Sequence, residues 1–207
     1  MAENKDERRG RIEAAAFEVL EEMGYRKASM LQIAKRAQAS NETLYNWYGN
    51  KQALFSSIIE GNASGIRQVL EEAIAGGSDP EHSLENVGRL LLRFTATDNA
   101  VIINRAAVAD VADTGLLAAA IETHARSVMM QRLAAFMERV EAAGPFDFKG
   151  DPGGAADVFI RLLLGELQIQ QALGSQPPLD DDAIERRSEE CAALFRRLYA
   201  NGAGSGR

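Results

Sequence analysis

Residues 29–55 read SMLQIAKRAQASNETLYNWYGNKQALF, and this stretch decides the fold of the N-terminal part of the chain. Ser29 is a good helix cap, and Gln32 three residues later completes a capping box of the Ser-x-x-Gln type. After a short break, Ser40 can cap a second helix. The pattern predicts two short helices that cross closely, because Ala34 offers only a methyl-sized surface between them.

The second of these helices has one apolar and one polar face. Leu44 and Trp47 point back at the first helix, so we interpret Trp47 as a packing residue rather than a base contact. The outward residues are Asn41, Glu42, Thr43, Tyr45 and Asn46. Polar side chains on exposed first turns are what reading base edges in a DNA groove requires, and we expect Thr43 and Asn41 to make base contacts. Glu42 would repel phosphate but could accept a hydrogen bond from cytosine, so its role stays open.

The same residues carry a family resemblance. Asn-Glu-Thr-Leu-Tyr-Asn-Trp-Tyr and Asn-Lys-Gln-Ala-Leu-Phe, within residues 41–55, follow Ile-Ala-Lys-Arg-Ala and resemble the DNA-binding domain of TetR-family transcriptional repressors. The resemblance covers about residues 8–60. It implies an N-terminal helix-turn-helix followed by a variable, all-helical domain for effector binding and dimerisation.

The turn between the two helices departs from the family pattern. Gln38 stands where the family usually has glycine, and Ala39 where valine is common. Glutamine at positive φ would cost about 1 kcal/mol of strain. Either the turn is built differently or this cost is tolerated.

The resemblance and the charge pattern together define a set of expected DNA-binding residues. By resemblance, Tyr45, Tyr48 and Lys51 contact phosphate, Lys51 with help from a helix N-terminus. Basic residues before the first helix and around the second would add phosphate contacts whose strength falls with salt. The full predicted set is Ser29, Lys35, Ser40, Asn41, Glu42, Thr43, Tyr45, Asn46, Tyr48, Lys51, Arg8 and Arg9.

The charge distribution separates a neutral N-terminal part, residues 1–60 (the head), from an acidic remainder (the body). Residues 1–60 hold nine basic and nine acidic residues, so the net charge of −7 lies entirely in the remainder of the 207 residues. No apolar run approaches the ~20 residues of a membrane span, and no signal peptide is evident. The lone Cys191 agrees with a reducing compartment. We therefore expect a bacterial cytoplasmic protein that joins the nucleoid when bound to its operator, and no membrane association.

The hydrophobic periodicity predicts an all-α fold of about nine helices. We expect a three-helix DNA-binding domain at residues 1–50, a larger helical effector-binding and dimerisation domain at 51–200, and a disordered tail at 201–207. The first predicted helix spans residues 6–23 and is stopped by Gly24, and two short helices follow within 29–48. The fourth is capped by Asn50 and runs from 51 to the Gly76-Gly77 break, and Asp79-Pro80 opens the fifth. The remaining predicted helices span 98–111, 114–143, 152–173 and a last segment after 180–182 that ends before 201.

The fourth helix would link the head to the body. It would run roughly 37 Å from Lys51 to Ala75 at about 1.5 Å per residue. Gly61 and Gly65 weaken its interior and let it bend. A largely apolar small molecule bound among helices five to eight would then shift the spacing of the heads.

Several inward-facing residues are candidates for the effector pocket. They are Phe94, Asn104, Arg105, His124, Val128, Met129, Glu166 and Gln170. Two alternatives stay open. His124 could be a satisfied core histidine, and Arg105 could pair with Glu166 without any ligand.

The last two helices are the predicted dimer interface. Two apolar stripes would meet their symmetry mates in a four-helix bundle. The expected residues are Leu163, Gly165, Leu167, Ile184, Cys191, Phe195 and Leu198. The alternative is that these stripes pack inside the monomer.

Taken together, the sequence predicts a ligand-responsive repressor that binds a palindromic operator as a homodimer and is released by a small molecule. One alternative is a helical interaction module that has lost its effector. An enzyme is a weaker alternative, because the chain has no Gly-x-Ser-x-Gly, phosphate loop or HExxH motif. We expect no cofactor and no metal site.

Overall fold

The structure is a computed structural model that describes residues 5–75, 80–144 and 146–200, with backbone only for residues 65–67, 69–70, 72–75 and 80–81. The predicted Gly76-Gly77 break, the Asp79 cap and the tail at 201–207 lie outside the described residues.

The predicted all-α fold is confirmed, and the described residues contain no strand beyond one isolated bridge between Phe146 and Ala200. The helices are α1 (Lys5–Lys27), α2 (Met30–Arg36), α3 (Asn41–Tyr48), α4 (Lys51–Ala75), α5 (Pro80–Thr95), α6 (Asp98–Asp110), α7 (Leu116–Ala120), a π-helical turn (Ile121–Arg126), α8 (Ser127–Ala143), α9 (Pro152–Leu164), α10 (Leu167–Leu173) and α11 (Asp181–Tyr199).

The chain divides into two compact units. Unit 1 comprises Met1–Asn62 and Asp98–Ala125, and unit 2 comprises Ala63–Thr97 and Arg126–Arg207. Unit 1 extends past the predicted boundary at residue 50, because α6 packs along α1 and its apolar residues share one core with the first helices. Unit 1, which contains the helix-turn-helix, therefore includes two segments that are distant in sequence.

The cap residues of unit 1 act as the sequence predicts. The Ser29 hydroxyl accepts a hydrogen bond from the Gln32 backbone N–H at 3.3 Å, and Ser40 accepts one from Thr43 at 3.0 Å. The Asn50 side chain accepts from the Ala53 N–H at 2.8 Å and opens α4. These bonds satisfy helix-end donors that would otherwise lack a partner.

Two backbone positions in unit 1 refine the prediction. The expected helix stop at Gly24 is instead a kink, with φ of 72°, and helical residues continue to Lys27. This kink places Tyr25 in the core, where its ring packs edge-to-face on Phe55 at 5.5 Å between centroids. Gln38 has φ of 52°, so the turn keeps the left-handed geometry that glycine favours and tolerates the strain.

Unit 2 is built around aromatic rings. α5 packs on α11, α8 packs on α9, and α11 also contacts α9. Phe195 on α11 is completely buried. Its neighbouring rings are Phe146, Phe148, Phe159 and Tyr199. This cluster joins α9 and α11 to the loop that follows α8.

Two predicted helices differ from the structure. The helix expected to reach Leu173 breaks at Gly165, whose φ is 48°. Arg187 on α11 stabilises the break, because its guanidinium donates hydrogen bonds to the Leu163 and Leu164 carbonyls at the end of α9. The helix expected at 114–143 begins at residue 116 and contains the π-helical turn of residues 121–126.

Candidate nucleic-acid interface

The polar face of α3 forms as the sequence predicts. Leu44 is fully buried in the core of unit 1, and Trp47 is half-buried against the same core. Thr43 is half-buried at the edge of the outward face. The exposed members of that face are Asn41, Glu42, Tyr45 and Asn46. A helix anchored on one side and polar on the other can enter a major groove.

Three hydroxyls of the predicted DNA-binding set take part in hydrogen bonds at the helix caps. The Ser29 hydroxyl donates to Gln32 Oε1 at 2.8 Å, besides accepting from its N–H. The Ser40 and Thr43 hydroxyls share a hydrogen bond of 2.8 Å. The exposed side chains of Asn41, Glu42, Tyr45 and Asn46 make none of these cap hydrogen bonds and remain available for DNA.

The two tyrosines of α3 lie in different environments. Tyr45 is 50% exposed. Tyr48 has a buried hydroxyl with no hydrogen-bond partner among the described residues, and burial raises its pKa. The Tyr48 hydroxyl is therefore turned away from solvent, and this conformation does not offer it to a phosphate.

Lys51 is also engaged inside the protein. Its ammonium donates to the Tyr25 carbonyl at 2.7 Å and lies 4.3 Å from the centre of the Tyr25 ring. Burial lowers the pKa of Lys51, and the carboxylate of Asp110 partly offsets this effect. The lysine predicted to bind phosphate thus has an internal partner in this structure.

The other predicted basic residues differ in exposure and in their partners within the protein. Lys35 is exposed on α2, whereas Arg8 is half-buried. Arg9 bonds to Glu13 at 3.2 Å and to the Ser57 hydroxyl at 3.1 Å. Arg36, which the prediction left outside the set, pairs with two glutamates of α1, Glu18 at 3.0 Å and Glu22 at 2.7 Å. Its hydrogen bond lowers the pKa of Glu22 and ties α2 to α1.

The predicted effector residues do not all face inward. Arg105, Glu166 and Gln170 are exposed, and the Gln170 amide donates to Glu166 at 3.4 Å. The inward placement of Glu166 and Gln170 is wrong because the helix breaks at Gly165 and restarts in a different register. The half-buried candidates are Asn104 and His124 in unit 1, and Phe94, Val128 and Met129 in unit 2. His124 lies in the π-helical turn.

Most predicted dimer residues pack inside the monomer. The buried ones all belong to the core of unit 2, and they are Leu163, Leu167, Ile184, Cys191 and Phe195. Only Gly165 and Leu198 of the predicted interface are exposed. The two predicted apolar stripes are buried, and they pack in the core of unit 2 of the same chain.

Sequence reasoning missed Asp110, which lies 3% exposed at the end of α6. A signal was present, because Ile103, Ala106, Ala107 and Asp110 follow the i, i+3, i+4, i+7 spacing of one helix face. Because Asp110 shares this face with three apolar residues, the spacing predicts that its carboxylate is buried.

No helix among residues 5–75, 80–144 and 146–200 has the length and apolar character to cross a membrane.

Comparisons with known proteins identify the family. Residues 12–58 match the family model for bacterial regulatory proteins of the tetR family, and residues 82–201 match that of the AefR-like transcriptional repressor C-terminal domain. An HTH-type transcriptional activator, FasR of Mycolicibacterium smegmatis, is 39% identical over 70 residues, which are 32% of this chain and 32% of that relative. The chain thus spans about a third of the curated relative that it matches.

Solved structures extend the likeness to nearly the whole chain. A structure from Mesorhizobium loti MAFF303099, named as a TetR-family transcriptional regulator, has a TM-score of 0.80 at 21% identity and covers 96% of this chain and 100% of that chain. The flavonoid-responsive regulator FrrA has a TM-score of 0.70 at 27% identity with the same coverage. The helix-turn-helix, the helical C-terminal part and the two matching family models establish that this chain is a member of the TetR family of transcriptional regulators.

Proposed function

We propose that the chain is a ligand-responsive repressor that binds a palindromic operator as a homodimer and is released by a small molecule. The observation that carries the DNA-binding role is α3, whose Leu44 and Trp47 anchor it while Asn41, Tyr45 and Asn46 stay exposed. Such a helix reads only a few base pairs, so two copies about 34 Å apart are needed for a specific site.

The exposed apolar residues of unit 2 support the homodimer. Ile169 and Leu173 on α10 are 61% and 79% exposed, and Leu194 and Leu198 on α11 are 44% and 61% exposed. Each pair is spaced by four residues and so shares one helix face. Exposed apolar faces of this kind mark interaction surfaces. We take the partner to be a second copy of the chain, because binding to a palindromic site requires two recognition helices in one symmetric assembly.

The effector is proposed to be a largely apolar small molecule. Phe94, Val128 and Met129 of unit 2 are half-buried side chains that could adapt to such a ligand. The flavonoid-responsive regulator among the structural relatives supports a ligand-responsive role and suggests flavonoids as the first probes. We propose repression rather than activation because the C-terminal family model is that of a repressor.

The test has two stages. Purified protein is incubated with sheared genomic DNA, and the enriched fragments are sequenced; inverted repeats with half-sites about one helical turn apart are expected. In vitro transcription from an enriched promoter should then fall when the protein is added and recover with an active compound from a flavonoid and fatty-acid panel. Enrichment of no sequence would overturn the regulator proposal, and increased transcription would overturn repression.

The two tyrosines of α3 provide a matched pair of variants. Tyr45→Phe should weaken operator binding by about 1.5–3 kcal/mol, because it removes a hydrogen bond to a charged phosphate. Tyr48→Phe should leave operator binding unchanged and raise the free energy of unfolding by about 1 kcal/mol, since it removes a buried hydroxyl that lacks a partner. Fluorescence anisotropy and urea denaturation measure the two effects. Equal losses of DNA affinity in both variants would contradict the assignment.

A further inference from the structure

Arg36, the last residue of α2, is joined to α1 by a forked pair of hydrogen bonds. Its Nη1 and Nη2 atoms donate to the two carboxylate oxygens of Glu22, at 2.9 and 2.7 Å. Nη1 also donates to the Glu18 carboxylate at 3.0 Å. Glu18 and Glu22 are four residues apart and therefore lie on one face of α1. Two parallel bonds to one carboxylate fix the orientation of the planar guanidinium, which a single contact would not do.

A third residue of α1 contacts the same end of α2. The Arg11 Nε donates to the Ala37 backbone carbonyl at 3.4 Å, and Ala37 is the C-terminal cap of α2. α1 thus contacts the two consecutive residues at which α2 ends, Arg36 through its side chain and Ala37 through its backbone. We call the contacts from Arg11, Glu18 and Glu22 to this end of α2 the α1–α2 clamp.

The clamp lies directly before the strained residue of the helix-turn-helix. Gln38 has φ of 52°, a left-handed conformation that is costly for glutamine and nearly free for glycine. The Ala39 N–H donates to the Ala34 carbonyl at 3.0 Å, a bond typical of this left-handed turn, and Ser40 then caps α3. The direction in which α3 leaves the turn therefore depends on Gln38 keeping this conformation. Its strain is of the same order as the strength of an exposed ion pair, so the clamp is strong enough to offset it.

We propose that Arg36 is a positioning residue for DNA binding: bonded to Glu18 and Glu22, it fixes the end of α2 and so holds the strained turn in the conformation that presents α3. The proposal rests on the DNA-binding function proposed above. It assigns Arg36 no contact with phosphate, because two carboxylates of α1 already match its charge. Loss of the clamp lowers the fraction of molecules whose α3 is correctly placed, and the apparent affinity for DNA falls in proportion to that fraction.

Glu22→Gln separates positioning from a direct phosphate contact by the sign of its effect. The affinity of full-length protein is measured by fluorescence anisotropy on a duplex that the wild type enriches from sheared genomic DNA. The clamp predicts binding about two- to fivefold weaker, the fold-change of an exposed ion pair. If Arg36 instead bound phosphate, the lost carboxylate would release it and binding would tighten. Glu21→Gln is the matched control, since this exposed neighbour on α1 loses the same charge and leaves the fork intact.

Further variants test the fork itself and its link to the turn. Arg36→Lys keeps the charge but cannot form the fork, so it should weaken binding to a similar extent, whereas a phosphate contact would tolerate lysine. Glu22→Arg combined with Arg36→Glu restores a reversed fork and should recover most of the affinity that Arg36→Glu loses alone. In the unstrained turn of Gln38→Gly, Arg36→Lys should change binding little. Urea unfolding followed by Trp47 fluorescence checks that each variant is folded.

Each outcome decides the question. Weaker binding in Glu22→Gln and Arg36→Lys, with Glu21→Gln at or above the wild-type affinity, supports the proposal. Tighter or unchanged binding in Glu22→Gln, equal weakening in Glu21→Gln, or unchanged binding in Arg36→Lys would overturn it. An effect of Arg36→Lys that is as large in Gln38→Gly as in the wild type would overturn the link to the turn. A wild type that enriches no duplex would instead refute the DNA-binding function itself, so the two failures are distinguishable.

Discussion

Phe195→Ala should destabilise unit 2 by about 3–5 kcal/mol, the usual cost of truncating a fully buried phenylalanine. Phe195 is 0% exposed. Its ring lies 5.4 Å from Phe159, 5.7 Å from Phe148 and 4.8 Å from Tyr199, measured between centroids. The variant removes contacts that hold α9, α11 and the loop after α8 together. Much of the helical signal should melt at lower urea concentration than in the wild type.

Val108→Ala is the control for this variant. Val108 lies on α6 of unit 1, is 72% exposed and lies outside the proposed dimer interface, so the control should change the unfolding free energy by no more than about 0.5 kcal/mol. Circular dichroism reports the helices of both units. Fluorescence of Trp47, the single tryptophan of the chain, reports unit 1 alone. If Phe195→Ala unfolds no earlier than Val108→Ala, Phe195 is not a core residue, and a role in the dimer interface would again explain it.

Phe195 also illustrates what sequence spacing can and cannot predict. A stripe of apolar residues shows which face of α11 is buried, because the helical period fixes which residues share a face. It does not show whether the covering surface belongs to the same chain or to a second copy. That depends on contacts between segments far apart in sequence, such as Phe159 on α9, and spacing within one helix carries no information about them.

Helix caps and helix starts were predicted well, because they depend on residues close together in sequence. The Ser29, Ser40 and Asn50 caps form as expected, because a cap involves residues only three positions apart. Whether Gln38 alters the turn was left open by the sequence, and the structure gives Gln38 the left-handed conformation that glycine favours. The helix start at Pro152 was also correct, whereas α11 begins at Asp181, within the acidic run that was expected to precede it.

Side-chain roles at the candidate site were less predictable, since they depend on distant partners. Lys51 bonds to a carbonyl 26 residues earlier, and the Tyr48 hydroxyl is buried without a hydrogen-bond partner among the described residues. The exposure of Glu166 and Gln170 follows from Arg187, whose hydrogen bonds to the end of α9 support the break at Gly165. None of these partners is indicated by the local motif.

Leu198→Glu should convert the proposed homodimer to a monomer. A charge on the exposed apolar face of α11 costs little in the monomer, because Leu198 is already largely in water, but it would be buried in an interface. Operator affinity should fall about 100-fold or more, since two linked heads bind 10²–10⁴ times better than one. Sedimentation equilibrium measures the mass, and anisotropy on a two-half-site duplex measures the affinity.

Val108→Glu is the control for added charge on an exposed apolar residue. Val108 is 72% exposed on α6 in unit 1, outside the proposed interface. It should leave the mass and the operator affinity near those of the wild type. A single half-site gives a second control, because a monomer with an intact α3 should bind it as well as one protomer of the wild type does. A Leu198→Glu variant that stays dimeric would exclude this face of α11. A monomeric variant that keeps full operator affinity would show that the two heads do not act together, and the palindromic site would lose its physical basis.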